Sequence, residues 1–235
     1  MASPRATGRQ RPPLSDSEEI AHRKQLAAQA AAELIEDGMR VGLGTGSTVA
    51  FLLPAIAARA CEGLVCVATS PATEQAALSL GLVVQPLDAV GELDIAIDGA
   101  DQIDPEGWLI KGGGGAHTRE KIVAAAARRF VVIASAEKAV ARLSAPVPLE
   151  LLSFGVGRTV LALTPTSLRG GPASPDGGVI ADYEGAVSDP RELAGRLSAT
   201  PGVIDHGLFA PELTSTIMIA GENGVEVRAG AKRPG

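Results

Sequence analysis

Short apolar runs alternate with helix-compatible segments over most of the first 135 residues of this chain. The runs LVCVA (64–68) and FVVIA (130–134) contain no charged residue, and helix-like segments separate them from strand-like runs at 39–43 and 93–97. A strand that is apolar on both faces needs cover on both sides, and the crossover helices of parallel sheets provide it. The alternation therefore predicts an α/β fold built on a parallel sheet.

The pattern changes near residue 146, where a smaller unit begins. A strand-like PVPLELL, a helix-like GVGRTVLALT and a Gly- and Pro-rich loop or hairpin precede a helix that starts at Asp189. The runs after residue 202 then return to the main sheet. The first residues are rich in Pro, Arg and small polar side chains, which is typical of disorder. We expect a disordered leader over 1–17, a main domain over 18–144 and 205–231, and an inserted α+β domain over 145–204.

The charge and the cysteine content argue against several classes of function. The formal net charge is −6, whereas binding to nucleic acid or to a membrane surface rests on basic surfaces, so we expect neither partner. Cys61 and Cys66 lack the spacing of metal ligands. There is no signal peptide and no apolar run long enough to span a membrane. We therefore expect a cytoplasmic protein without a metal site.

The first candidate site is the turn Gly44-Thr45-Gly46-Ser47-Thr48, which lies between a strand-like and a helix-like segment. Glycines let a backbone approach a ligand, and the N–H groups of a helix N-terminus attract anions. The turn lacks the third glycine of the dinucleotide fingerprint and the lysine of the P-loop. Taken alone, it fits an anion-binding loop and a plain strand-to-helix turn equally well.

The second candidate site is Asp98-Gly99-Ala100-Asp101, at the end of a strand-like run. Ligands of open parallel sheets bind outside the carboxyl ends of the strands. Two carboxylates three residues apart at that edge are suited to share a proton or to contact hydroxyl groups. The alternative is an Asx-turn with a helix cap, which Asp-Gly commonly forms.

The third candidate site joins Lys111, the four glycines 112–115, and Glu120 in the first turn of the next helix. A glycine run forms a nest of N–H groups for an anion, and a lysine supplies a point charge for an anion or a developing enolate. Because four glycines are costly to order, ligand contact is favoured over a flexible loop. Taken alone, Glu120 also fits a structural role, as a first-turn acid that complements the helix dipole. We expect His117 to make a local polar contact.

The motifs GLGTGST, DGAD, KGGGGAHTREKI and IASAEK, in this order and spacing, resemble ribose-5-phosphate isomerase type A. The resemblance continues through PVPLELL, DPRELAGRLSATPGVIDHGLF and GENGVEV, and it covers nearly everything after about residue 20. It implies a Rossmann-like parallel-sheet domain with a smaller inserted α+β domain, and interconversion of D-ribose 5-phosphate and D-ribulose 5-phosphate through an enediolate, in the pentose phosphate pathway. It also implies no metal or organic cofactor and a homodimer or homotetramer.

The resemblance implies a role for each matching residue. Glu120 matches the general base that moves a proton between C1 and C2, and Lys111 matches a lysine that stabilises the developing negative charge. Asp98 and Asp101 match residues that contact substrate hydroxyls and assist ring opening. Lys24, on the first helix, is expected to reach the phosphate. The expected substrate-binding residues are Thr45, Gly46, Ser47, Thr48, Asp98, Gly99, Ala100, Asp101, Lys111, Gly112, Gly113, Gly114 and Lys138.

Two other classes of function stay open from the sequence. One is a sugar-phosphate-sensing module, like the effector domain of some transcriptional regulators, in which Lys111 and Glu120 would lack a purpose. The other is a related enzyme of the same superfold, such as a glucosamine-6-phosphate deaminase or a phosphogluconolactonase, which would need a histidine-bearing site. The segment LRGGPASPDGGVIADY is expected to be shorter than the family's hairpin and to lack its typical arginine.

Overall fold

The computed structural model describes residues 15–232. Most of the leader expected over 1–17 lies outside the described residues, and Asp16 and Ser17 belong to the first helix. The α-helices are α1 (Asp16–Ala32), α2 (Val49–Ala58), α3 (Pro71–Ser79), α4 (Leu87–Val90), α5 (His117–Ala126), α6 (Val156–Ala162) and α7 (Pro190–Ser198). The strands are β1 (Arg40–Leu43), β2 (Val65–Ala68), β3 (Leu93–Gly99), β4 (Gln102–Ile103), β5 (Leu109–Ile110), β6 (Ala127–Ser135), β7 (Val147–Leu151), β8 (Thr166–Leu168), β9 (Val179–Tyr183), β10 (Val203–His206), β11 (Leu208–Phe209), β12 (Thr216–Gly221) and β13 (Gly224–Ala229).

The main sheet has six strands in the order β13-β12-β6-β3-β1-β2. Its strands run parallel except β13, which pairs antiparallel with β12 at one edge. The predicted α/β class is therefore confirmed. The order also places β1 beside β3, with Leu43 opposite Ile97, so the segments that follow these two strands emerge next to each other at the carboxyl edge of the sheet.

Two smaller antiparallel sheets complete the fold. One has the order β10-β7-β9-β8, and the other has the order β11-β5-β4. The Gly- and Pro-rich segment predicted as a loop or hairpin joins β8 to β9, which pair with each other. Most of the four-stranded sheet falls within 145–204, in agreement with an inserted α+β domain, and the domain boundaries themselves stay a prediction.

Capping side chains explain where α1 and α7 begin. At α1, the Ser15 hydroxyl accepts from the Glu18 N–H while the Glu18 carboxylate accepts from the Ser15 N–H, which together form a capping box. At α7, the Asp189 side chain accepts from the second and third backbone N–H groups of the helix. Small residues let α1 lie close to the sheet, since Ala27, Ala28 and Ala31 are fully buried in its core.

Several element boundaries depend on contacts that are distant in sequence. Helix α1 ends at Ala32, before Gly38, and α2 continues through Pro54. The run over 82–86 forms only a single bridge, between Val84 and Cys66. Helix α5 ends at Ala126, because residues 127–129 already pair with β3.

The sequence predicts that the runs after residue 202 return to the main sheet, and β12 and β13 do so. Residues 203–209 do not, because they divide at Gly207 into β10 and β11, which belong to the two smaller sheets. A Cβ atom on Gly207 would lie 2.1 Å from the Lys111 carbonyl oxygen, so only glycine allows the two backbones to approach in this way. The Gly207 carbonyl in turn accepts from the Lys111 N–H at 2.8 Å. The division therefore fixes the backbone at Lys111.

Over residues 15–232, none of the helices has both the length and the apolar character that crossing a bilayer would require. In the same part of the chain, no three or more His, Cys, Asp or Glu side chains are grouped so that they could hold a metal ion.

Candidate active site

Hydrogen bonds join the segment after β1 to the end of β3 at the carboxyl edge of the main sheet. The Gly44 N–H donates to the Ile97 carbonyl at 3.0 Å, and the Thr45 N–H donates to Asp98 Oδ1 at 3.1 Å. A Cβ atom on Gly44 would lie 1.9 Å from the Asp98 carboxyl carbon. Glycine at position 44 therefore makes room for the Asp98 carboxylate.

Asp98, Lys111 and Glu120 form a buried charged cluster beneath this edge, and each is less than 5% exposed. Lys111 Nζ donates to Asp98 Oδ2 at 2.8 Å and to the Gly99 carbonyl at 2.6 Å. Lys111 Nζ also lies 3.0 Å from Glu120 Oε2. That contact is an ion pair without hydrogen-bond geometry, and Glu120 Oε2 accepts no hydrogen bond from the described residues. The cluster thus has two carboxyl groups for one ammonium group.

The burial of this cluster shifts the pKa values of its members. Burial and then the negative charge of Asp98 raise the pKa of Glu120 to about 8, against the opposing effect of Lys111. Burial alone would lower the pKa of Lys111, but the two carboxylates outweigh it and raise that pKa. Burial also raises the pKa of Asp98, although Lys111 and the N–H groups of Thr45 and Gly99 oppose the rise.

These contacts indicate which carboxyl group binds a proton more readily. Asp98 accepts hydrogen bonds from Lys111, Thr45 and the Gly99 N–H, whereas Glu120 Oε2 accepts none. Hydrogen bonds to a carboxylate favour its ionised form. The contacts therefore favour the ionised form of Asp98 more than that of Glu120, so Glu120 is the carboxyl group that takes up a proton more readily.

Asp101 lies above the cluster and is partly exposed. Its Oδ2 atom accepts from the Gly113 N–H at 2.8 Å. Gly112 has φ +106°, in the region that side chains rarely adopt, and a Cβ atom there would meet the His117 ring at 2.7 Å. The glycine loop, residues 112–115, therefore takes a conformation that requires glycine at its first position.

The loop of residues 44–48 forms the opposite side of the site. The Thr45 hydroxyl lies 2.8 Å from the Thr69 hydroxyl, which holds it near the end of β2. Ser47 Oγ accepts from Lys24 Nζ at 2.9 Å, so the lysine of α1 reaches this loop. Lys138 stands on the facing side, at the end of the short 3-10 helix Ala136–Lys138.

These elements enclose a cavity of about 210 Å³. Every predicted substrate-binding residue except Asp98 lines it, and the other lining residue is Glu120. Asp98 lies beneath the cavity, where it contacts Lys111. The residues that line the cavity are Thr45, Gly46, Ser47, Thr48, Gly99, Ala100, Asp101, Lys111, Gly112, Gly113, Gly114, Glu120 and Lys138.

The three histidines of the chain do not gather at this cavity. His117 is fully buried behind the glycine loop, its ring nitrogens have no hydrogen-bond partner among the described residues, and burial lowers its pKa to about 4. His206 is also buried, and its Nδ1 atom accepts from the Leu208 N–H. His22 is exposed on α1. Within residues 15–232, the His117 ring therefore does not make the polar contact that we expected.

Two residues near the site were given no role from the sequence. Phe209 is fully buried, and Lys111 Nζ lies 5.4 Å from the centre of its ring. Arg169 follows β8 and donates to the carbonyls of Gly112 and Gly113. It belongs to the segment in which we expected the family's typical arginine to be missing. The sequence signal was an arginine in a glycine-rich hairpin, but its partner loop lies more than 50 residues away.

The fold and the cavity together define an α/β protein with a small-molecule site. Backbone N–H groups, hydroxyls and lysines around the opening suit an anionic ligand, and the carboxyl groups and ammonium group at its base suit proton transfer.

Residues 65–224 match the family described as Ribose 5-phosphate isomerase A (phosphoriboisomerase A). The ribose-5-phosphate isomerase A of Roseiflexus castenholzii is 43% identical over 220 residues, which cover 86% of this chain and 93% of that protein. This chain belongs to the ribose 5-phosphate isomerase A family, as its sequence motifs predict.

Solved structures support the same assignment. The crystal structure of ribose 5 phosphate isomerase A from Neisseria gonorrhoeae superposes with a TM-score of 0.86 at 31% identity, covering 89% of this chain and 97% of that one. A D-ribose-5-phosphate isomerase in complex with phospho-erythronic acid gives a TM-score of 0.85 at 32% identity, covering 89% of this chain and 99% of that one.

Proposed function

We propose that this chain interconverts D-ribose 5-phosphate and D-ribulose 5-phosphate through an enediolate. The observation that carries the proposal is the Glu120 carboxyl group. It lines the cavity, it is buried, its Oε2 atom accepts no hydrogen bond from the described residues, and it lies 3.0 Å from Lys111 Nζ. An aldose–ketose isomerase needs one such positioned base beside an electrophile.

The proton transfer begins with ionised Glu120 acting on the open-chain aldose. Glu120 removes the proton from C2, the electron pair forms the C1–C2 double bond, and the C1 oxygen takes the negative charge. The C2 hydroxyl proton then passes to the C1 oxygen, which becomes a hydroxyl group. The electrons on the C2 oxygen form the new C2 carbonyl, and the electron pair of the C1–C2 double bond takes the proton back from Glu120 at C1. A carboxyl group whose pKa is about 8 is a stronger base than an ordinary glutamate.

Lys111 stabilises the negative charge of the enediolate in this proposal. Its ammonium group is held by Asp98 and by the Gly99 carbonyl, so it does not have to reorient during the reaction. Asp98 stays ionised and keeps Lys111 in place. Asp101, which is partly exposed at the opening, contacts substrate hydroxyls and moves the proton that opens the sugar ring.

The phosphate group binds near Thr45, Gly46, Ser47 and Thr48 at the start of α2. Lys24 reaches Ser47, and Lys138 lines the cavity. Among residues 15–232, neither lysine forms an ion pair with a carboxylate. Both positive charges are therefore available to a phosphate.

The experiment that tests this function measures D-ribulose 5-phosphate formation from D-ribose 5-phosphate with a metal chelator present. We expect turnover by the wild-type protein. A folded protein without turnover, whose melting temperature nevertheless rises with D-ribose 5-phosphate, would contradict the proposal and favour a sensing module. Turnover of an amino sugar phosphate or of a phosphogluconolactone in place of the pentose phosphate would favour a related enzyme.

The assembly, the location and the domain limits are further proposals that rest on the family resemblance. We propose a homodimer or homotetramer in the cytoplasm, with a main domain over 18–144 and 205–231 and an inserted domain over 145–204. Light scattering after gel filtration gives the mass of the assembly, and a monomer would contradict it. Limited proteolysis tests the domain limits, since the first cuts are expected near residues 145 and 204.

A further inference from the structure

Arg169 connects the four-stranded sheet to the glycine loop of residues 112–115. Its guanidinium group forms a two-pronged ion pair with Asp182 of β9, with Nε 2.8 Å from Oδ2. The remaining nitrogen, Nη1, donates to the Gly112 carbonyl at 2.9 Å and to the Gly113 carbonyl at 3.0 Å. Arg169 does not line the cavity, so it touches the site only through the loop.

The two carbonyls that Arg169 holds determine the direction of two N–H groups. The C=O of one residue and the N–H of the next share a planar, trans peptide unit and point in opposite directions. Fixing the Gly112 carbonyl therefore aims the Gly113 N–H away from Arg169, and that N–H meets Asp101. Fixing the Gly113 carbonyl aims the Gly114 N–H away from Arg169 in the same manner.

A glycine run needs such an anchor more than another loop would. Glycine loses more conformational freedom on ordering than any other residue, and positions 112–115 are all glycine. On the side of the main domain, the loop is held by the Asp101 side chain. On the side of the four-stranded sheet, it is held by Arg169, which the ion pair with Asp182 keeps in one orientation.

We propose that Arg169 is a positioning residue that orders the Gly112–Gly114 peptides for binding of the substrate, with Asp182 as its anchor. The proposal deepens the isomerase function proposed above and rests on it for the identity of the substrate. Arg169 sets the Gly113 N–H that orients Asp101, and it presents the Gly114 N–H to the cavity. The buried pair of Lys111 and Glu120 does not depend on it.

The first test compares Arg169→Met with the wild type in steady-state kinetics and in the binding of phospho-erythronic acid by calorimetry. We expect KM and the Kd of phospho-erythronic acid to rise at least tenfold, while kcat falls less than threefold. Loss of fold stability alone would lower the melting temperature without this separation of KM from kcat. Values of KM and Kd within twofold of the wild type would overturn the proposal.

Arg119→Met is the matched control. Arg119 also forms a two-pronged ion pair with an aspartate of the small-domain hairpin, Asp176, but it makes no contact with the glycine loop. We expect its KM and Kd to stay within twofold of the wild type. An increase equal to that of Arg169→Met would assign the effect to the hairpin as a whole and would contradict a specific role of Arg169.

Two conservative variants keep the test decisive if Arg169→Met does not fold. Arg169→Lys retains the charge, but an ammonium group cannot donate to the Asp182 carboxylate and to both carbonyls in the geometry of a planar guanidinium group. We therefore expect a rise in KM of about threefold. Asp182→Asn leaves the guanidinium in place but removes its charged anchor, and we expect a similar rise. Unchanged KM in both folded variants would count against the proposal.

Hydrogen exchange separates this inference from the isomerase function. We expect the amides of residues 112–116 to exchange at least tenfold faster in Arg169→Met, or in Asp182→Asn if the first variant does not fold. This holds whether or not the wild type turns over D-ribose 5-phosphate. Unchanged exchange would overturn the proposed role of Arg169. Faster exchange in a protein without isomerase activity would support that role and would refute only the proposed isomerase function.

Discussion

The charged side chains at the base of the cavity and those at its opening differ in their burial and in the groups that they contact. At the base, Asp98, Lys111 and Glu120 are buried and contact one another. At the opening, Lys24 and Asp101 are partly exposed, and each meets a neutral partner, the Ser47 hydroxyl and the Gly113 N–H. Charges at the base interact strongly because water is excluded, whereas charges at the opening are screened by solvent.

This difference separates two tasks. The buried cluster provides a base of raised pKa next to a fixed ammonium group, which suits the chemical step. The opening has donors that remain accessible, which suits capture and release of a phosphorylated sugar. Substitutions in the buried cluster of Asp98, Lys111 and Glu120 should therefore change kcat and the pH profile, and substitutions at the opening of the cavity should change mainly KM.

The largest effect is expected for Glu120→Gln. We expect kcat to fall about 1,000-fold, because glutamine has no basic oxygen and a positioned general base contributes on the order of 10²–10⁴. Glu192→Gln is the matched control, since Glu192 is an exposed acid in the first turn of another helix, α7. Activity retained in folded Glu120→Gln would remove Glu120 from its role.

The pH dependence is the next largest effect. Because the proposed base must be ionised and its pKa is about 8, kcat/KM should rise about tenfold per pH unit below 8 and level off above it. The phosphate group of the substrate also ionises, near pH 6. Repeating the profile with Asp98→Asn separates the two effects, because this variant changes the pKa of Glu120 and not that of the phosphate. A profile that is flat from pH 6.5 to 9 would contradict a raised pKa at Glu120.

The stability of the fold should depend on pH with the opposite sign. The ordinary pKa of glutamate is 4.5, and in the folded protein that of Glu120 is raised to about 8. The folded state therefore binds this proton more tightly, and its contribution to stability is complete below pH 4.5 and is lost as the pH rises through 8. We expect Glu120→Gln to melt a few degrees higher than the wild type at pH 8.5 and to lose this advantage at pH 5.

Asp98→Asn and Asp101→Asn compare a buried and a partly exposed carboxylate three residues apart. We expect Asp98→Asn to destabilise the fold by about 3 kcal/mol, since it breaks a buried ion pair, and Asp101→Asn by about 1 kcal/mol or less. Asp98→Asn should also move the rise in kcat/KM to lower pH, because the Asp98 charge raises the pKa of Glu120. Chemical denaturation and pH profiles measure both effects, and equal losses of stability would refute the contrast.

The smallest effect is expected at the opening. Lys24→Met should raise KM about fivefold with kcat unchanged, because a partly exposed charge contributes about 1 kcal/mol to binding a phosphate. Arg23→Met is the control on the same helix, since Arg23 pairs with Glu19 instead. A fall in kcat with constant KM would place Lys24 in the chemical step and would contradict the division of tasks.

The sequence predicts much of this site because its residues follow directly from strand ends. Gly44 and Lys111 come immediately after β1 and β5, and Asp98 is the penultimate residue of β3. The residues beside them line the cavity. Apolar strands and glycine turns are local signals, so they can be read without knowing which segments meet. The α/β class follows from the same signals.

The parts that the sequence did not predict depend on distant contacts. The carbonyls that Arg169 meets are 56 and 57 residues away in the chain, and no local pattern marks that pairing. The balance between burial and Lys111 that raises the pKa of Glu120 also requires the tertiary structure. The run over 82–86 forms only a single bridge, since pairing at a sheet edge depends on the neighbouring strand and not only on apolar character.

Helix α5 passes into strand β6 without an intervening loop, since one ends at Ala126 and the other begins at Ala127. Glu120 lies in this helix, which leads directly into a strand between β3 and β12 in the middle of the sheet. The side chain that we propose as the general base is thus anchored, through its helix, to a central strand. We expect any closing movement around a sugar phosphate to come from the glycine loop of residues 112–115, which Arg169 and Asp101 hold, and not from this helix.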